Sequence, residues 1–134
     1  MKKTLPFLLA LCSNPALAAG DAATGEKTFK KCQACHAIIK DDGTAIVKGG
    51  KVGPNLFGLI GRAAGSTDFA YGDSIKALGA TGLTWDAALL GEYLADPTVF
   101  LQQKLSDPSA KSKMTFKLNK GTEDIAAYLS TLAP

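Results

Sequence analysis

Residues 32–36 read Cys32-Gln33-Ala34-Cys35-His36. Two thiols with two residues between them, on a turn of helix, lie close together on one side. They can add to the two vinyl groups of one haem as thioethers. The adjacent His36 is then carried under the porphyrin plane, where its ring nitrogen can bind iron. Other chemistries also use paired cysteines. A plain disulfide is one alternative and a thioredoxin-like dithiol pair another; the dithiol reading wants a strand just before the motif and a βαβ frame, and neither is visible. Zinc normally wants four ligands, and only Cys32, Cys35 and His36 are soft candidates once the leader described below is removed. Haem attachment uses all three.

An electron-transferring haem iron takes a second axial ligand. The chain has one His, already used, and two Met, of which one is the initiator. The other, Met114, lies in the polar, basic run Lys111-Ser112-Lys113-Met114-Thr115-Phe116-Lys117. A methionine serving only as core filler more often falls within a helical apolar pattern. A thioether paired with an imidazole is a known haem ligation and raises the reduction potential.

Outward from the motif, the pattern is helical with long loops. Asp21 to about Ala34 reads as a helix capped by Asp21, with Phe29 as its large apolar residue and Gly25 as a site of close packing. From Lys40 to Gly65 the turn residues Asp42-Gly43, Gly49-Gly50, Gly53-Pro54-Asn55 and Gly58 predict loop, and no alternation predicts a strand. A loop this long within a compact domain needs a reason, and wrapping a large cofactor is one. A short helix is predicted over Asp73–Leu78, stopped by Gly79. A second runs over Thr84–Ala95 with Thr84 as cap. Asp96-Pro97 stops that helix and caps the next, whose Val99, Phe100 and Leu101 are expected to point inward. The last helix follows Thr122, with Glu123 and Asp124 suiting its dipole. Its stripe is Ile125, Tyr128, Leu129 and Leu132. The class is all-α, with too little apolar helix surface for a bundle core, so something else must fill the middle.

The first residues read as a leader rather than as fold. Lys2 and Lys3 form a positive start, Leu5 to Leu11 an apolar run, and Ala16-Leu17-Ala18 a small-residue cleavage site. The run is short of the ~20 residues that span a bilayer. Residues 1–19 are therefore expected to be a cleaved secretory signal peptide, which removes Cys12, and residues 20–134 one domain. That export predicts the periplasm. The formal net charge of +3 is too mild for a nucleic-acid binder, and none is expected.

Beyond the five-residue motif, the order of further segments carries a family likeness: Gly53-Pro54-Asn55-Leu56, Gly61-Arg62, Gly82-Leu83-Thr84-Trp85, Glu92-Tyr93-Leu94 with Asp96-Pro97, Lys113-Met114-Thr115-Phe116, and Ala127-Tyr128-Leu129. Over nearly all of residues 20–134 the chain resembles a class I cytochrome c, most of all the bacterial cytochrome c2 and c550 group. The resemblance implies a small fold of helices and long loops wrapped around one haem c, bound covalently through Cys32 and Cys35. It implies His36 and Met114 as iron ligands and Pro54 as the backbone acceptor for the second His36 nitrogen. Arg62, Tyr71 and Trp85 would reach the haem propionates, with Ser112 a further propionate partner, and Tyr93 would lie beside the Met114 sulfur. Gly25 and Phe29 would meet Tyr128 where the first and last helices cross. Lys31, Lys51, Lys113, Lys117 and Lys120 resemble positions around the exposed haem edge.

The function implied is one-electron transfer without substrate turnover, so the chain is not expected to be an enzyme. A monomer docking transiently on membrane complexes is expected. Its donor would be the cytochrome bc1 complex, and its acceptor a photosynthetic reaction centre or a cytochrome oxidase, in photosynthesis or respiration. A peroxide or gas site would instead need an open sixth position. Three loops are longer than in the short mitochondrial proteins: between His36 and Pro54, around Asp73 to Gly82, and between Phe100 and Met114.

Overall fold

The computed structural model describes residues 20–134. The expected leader, residues 1–19 with Cys12, lies outside the described residues. Helices α1 (Ala22–Thr28), α2 (Asp73–Ala80), α3 (Ala87–Ala95), α4 (Pro97–Leu105) and α5 (Thr122–Ser130) carry the fold. Helix α5 packs on α1 and α3, and α4 packs on α2 and α3. The all-α class is as the sequence predicts.

Asp21 caps α1, accepting from the N–H groups of Ala23 and Thr24. Its own N–H donates to Asp124 Oδ1 at 2.7 Å, which ties the start of α1 to α5. A Cβ on Gly25 would run into the carbonyl of Asp124 and the Cβ of Tyr128, so glycine lets the two helices cross closely. Beyond the crossing, the rings of Phe29 and Tyr128 meet edge to face at 5.8 Å. Here the predicted contact is present. The α-helix itself is shorter than predicted. It tightens to a 3₁₀ turn at Phe29–Lys31 before the cysteine motif, a common ending for a short helix.

Four local expectations need correction. The segment from Lys40 onward is not all loop: β1 (Ile38–Ile39) and β2 (Ala45–Val47) pair antiparallel. Strands this short, with Ala45 and Ile46 exposed, leave no alternating pattern to read. Helix α2 runs through Gly79 to Ala80. Gly79 is there for close approach, since a Cβ would overlap the Ala64 carbonyl. Helix α3 is capped by Asp86, which accepts from Leu89 N–H at 2.8 Å, and not by Thr84. Thr84 instead bridges to Ala63, and Trp85 exchanges backbone bonds with Arg62 and Gly61. On α4, Phe100 and Leu101 are buried but Val99 is 42% exposed. Successive helical residues turn about 100°, so all three cannot share the inner face.

The cap of α4 is as predicted, with Asp96 Oδ1 accepting from Val99 N–H at 3.1 Å and Pro97 in the first turn. On α5, Ile125, Tyr128 and Leu129 are buried, and Leu132 lies half-buried just past its end. These faces do not close on one another completely. They surround a cavity of about 530 Å³, within the range of sites that hold sizeable organic ligands. No helix of the described residues is long and apolar enough to cross a membrane.

Candidate haem site

The cysteine motif forms one wall of the cavity. Cys35 N–H and His36 N–H both donate to the Cys32 carbonyl, at 3.1 and 2.9 Å, so the motif is a single helical turn. Cys32 and Cys35 are free thiols, and both line the cavity. Burial pushes the Cys32 thiol up to about 11, and the neighbouring Cys35 adds to the shift. A dithiol oxidoreductase needs the reverse, a nucleophilic cysteine with a lowered pKa.

A loop clamps this turn from outside. Gly50 N–H donates to Gln33 O at 2.9 Å, and Gly53 N–H to Cys35 O at 2.8 Å. A Cβ at Gly49 would overlap the carbonyl of His36, and one at Gly50 the carbonyl of Ala34. The glycine pair is therefore what lets the loop lie flat on the motif. At its end, Pro54 O lies 2.8 Å from His36 Nδ1. A carbonyl only accepts, so Nδ1 carries the proton and Nε2 keeps its lone pair. Burial lowers the His36 pKa, against the opposing effect of the Pro54 bond, and the ring is neutral at pH 7.

Met114 reaches the same cavity from the long segment between α4 and α5. Its N–H donates to Ser112 Oγ at 3.1 Å, and the same oxygen pairs with Tyr93 Oη at 3.1 Å. Burial raises the Tyr93 pKa, with the Ser112 bond opposing, so the phenol stays protonated. Tyr93 is held by Trp85 and Phe100, whose ring centroids lie at 5.2 and 5.5 Å.

All ten residues singled out in the sequence as cofactor contacts line this one cavity: Cys32, Cys35, His36, Pro54, Arg62, Tyr71, Trp85, Tyr93, Ser112 and Met114. Arg62 is half-buried and donates to the carbonyls of Asn55 and Phe57 at 3.3–3.4 Å. Tyr71 Oη pairs with Thr67 Oγ1 at 2.5 Å. The lysines divide. Lys31 and Lys113 line the cavity, Lys51 lines a smaller cleft beside it, and Lys117 and Lys120 line neither. Lys117 is engaged with Asp96 at 2.7 Å.

Several cavity residues were not singled out as cofactor contacts in the sequence, Val52 and Phe116 among them. Val52 is 77% exposed and Phe116 42% exposed, yet both line the cavity. Their places next to Gly53-Pro54 and two residues after Met114 were the available signal.

Two thiols, an imidazole with one free nitrogen, a thioether, apolar walls and the donors of Arg62, Tyr71 and Trp85 fit a covalently attached haem. The thiols match its vinyl groups, the nitrogen and sulfur its iron, and the donors its carboxylates. No family model matches the chain. Individual proteins do. Cytochrome c-551 of Roseobacter denitrificans is 51% identical over 135 residues, covering 99% of this chain and 97% of its own. Cytochrome c2 of Rhodobacter capsulatus is 56% identical over 115 residues, 85% of this chain and 84% of that one. The X-ray structure of ferric cytochrome c-550 from Paracoccus versutus superposes with a TM-score of 0.82 at 50% identity, over 86% of this chain and 99% of that one.

Proposed function

The chain belongs to the class I c-type cytochromes of the c2 and c-550 group, and we propose that it is a soluble periplasmic one-electron carrier with His36 and Met114 as the axial ligands of one haem c. The observation that carries this reading is the meeting of Cys32, Cys35, His36 and Met114 on one largely apolar cavity. When bound, haem c supplies reversible one-electron chemistry at its iron.

The chain's own residues do the rest. Cys32 and Cys35 would attach the group, and Pro54 fixes the tautomer and ring plane that leave Nε2 free to hold the metal. The Met114 sulfur, a soft donor, favours the reduced metal and a high potential. Arg62, Tyr71 and Trp85 would donate hydrogen bonds to the propionates, with Arg62 also offsetting their charge, while the buried rings of Phe29, Trp85 and Tyr93 would keep water from the metal. With His36 and Met114 both holding the iron, no substrate would bind and no proton would have to move. The proton on His36 Nδ1 stays on that nitrogen, donated to the Pro54 carbonyl.

Lys31 and Lys113 at the cavity, with Lys51 and Lys120 farther out, would steer an acidic partner. We assign the cytochrome bc1 complex as donor and a photosynthetic reaction centre or cytochrome oxidase as acceptor. The test combines mass and kinetics. The intact mass of the exported protein should equal a chain beginning at residue 19 or 20 plus one haem. Its reduction by a bc1 complex should slow as salt rises. A mass without haem, or a salt-independent rate, would contradict the reading.

A further inference from the structure

Both carboxylate oxygens of Asp96 are in use. Oδ1 caps α4 through Val99 N–H, and Oδ2 accepts from Lys117 Nζ at 2.7 Å. The next residue, Leu118, is buried and donates its N–H to Leu94 O at the end of α3, at 2.8 Å. On the other side of Met114, Ser112 N–H donates to Thr98 Oγ1 in the first turn of α4, at 3.2 Å. Met114 is thus slung between two anchors on one elbow, residues 94–98 at the α3–α4 junction. The upstream anchor is a hydrogen bond to a half-buried threonine. The downstream anchor combines a buried apolar side chain, a backbone bond and the Lys117–Asp96 ion pair.

We propose that Asp96 and Lys117 are positioning residues, a latch that holds the downstream arm of the Met114 segment to the α3–α4 elbow and so keeps the sulfur on the metal. The inference rests on the reading of Met114 as an iron ligand. Asp96 couples two structures through one carboxylate: the start of α4, from which Thr98 anchors Ser112, and the arm leaving Met114. Release of the sulfur requires the segment to swing away from the elbow, a local opening and not global unfolding. The pair is partly exposed, at 29% for Asp96 and 55% for Lys117. Its effect on that opening is accordingly modest, about two- to fivefold, and sensitive to salt.

Imidazole binding to the ferric holoprotein reads the opening directly, because the probe takes the position the sulfur vacates. Lys117→Gln removes the charge at similar length. Asp96→Asn removes the charge but keeps a good helix cap. Each should speed imidazole association about two- to fivefold at low salt. The double variant should be no faster than either single one, as expected when both remove the same interaction. Lys117→Arg should restore the slow rate. A purely structural role in capping α4 would lower thermal stability and leave the imidazole rate unchanged. Wild-type rates in both single variants, or additive effects in the double, would overturn the latch. The underlying reading fails separately: if Met114→Ala binds imidazole no faster than the wild type, Met114 is not the ligand.

Discussion

Gly53 lies flat against the imidazole of His36, so that a Cβ at residue 53 would overlap the ring. The next residue, Pro54, accepts a hydrogen bond from His36 Nδ1–H through its carbonyl, at 2.8 Å. One dipeptide therefore sets both the distance and the tilt of the ring. Gly53→Ala must displace the imidazole or the loop, at a cost typical of overpacking, about 1–3 kcal/mol. Chemical denaturation of the holoprotein should show that loss, and an unchanged midpoint would mean that the loop gives way freely.

Met114→Ala should keep the covalent haem and lower the reduction potential, because the soft sulfur that favours the reduced metal is gone. Potentiometric titration of the purified variant measures this. A potential equal to that of the wild type would remove Met114 from the iron.

Cys32→Ala combined with Cys35→Ala should leave the chain largely unfolded. The core is built around a cavity of about 530 Å³, and its walls lose their partner when nothing fills it. The colourless double variant should show no cooperative thermal transition in the far ultraviolet. A sharp transition would show that the helices suffice.

Asp96 gives a pH signature. The Lys117 side chain, then the Val99 N–H, hold its carboxyl below the ordinary carboxylate range. A carboxyl whose folded pKa is depressed adds stability above its unfolded pKa, about 3.9, and that stability is lost as pH falls through the folded value. The denaturation midpoints of wild type and Asp96→Asn should therefore differ by a constant amount from neutral pH down to about pH 5. They should converge in stronger acid. A difference that grows on acidification would contradict the assigned pairing.

The site was more legible in the sequence than the backbone around it. Cys32, Cys35 and His36 are adjacent, so local spacing alone brings them together. Met114 followed from being the one methionine besides the initiator and from its polar setting, whereas Pro54 and Trp85 needed the family likeness, because no local rule links residues so far apart in the chain. The β1–β2 hairpin was hidden by strands of two and three residues. Thr84 looked like a cap because threonine can be one, but Asp86 two residues on is the stronger acceptor. The Lys117–Asp96 pair could not be read at all, since lysines on a polar loop look alike until the fold brings an acid to one of them.

A haem held by Cys32 and Cys35, with His36 and Met114 on its iron, would have a characteristic absorption spectrum. Absorption spectra of the exported protein in both redox states, extended into the near infrared, test for that arrangement most directly. The reduced protein should show a sharp c-type band, and the ferric form a weak sulfur-to-iron charge-transfer band that disappears in Met114→Ala. Haem without the weak band would contradict Met114 as ligand, and a colourless protein would contradict the whole assignment.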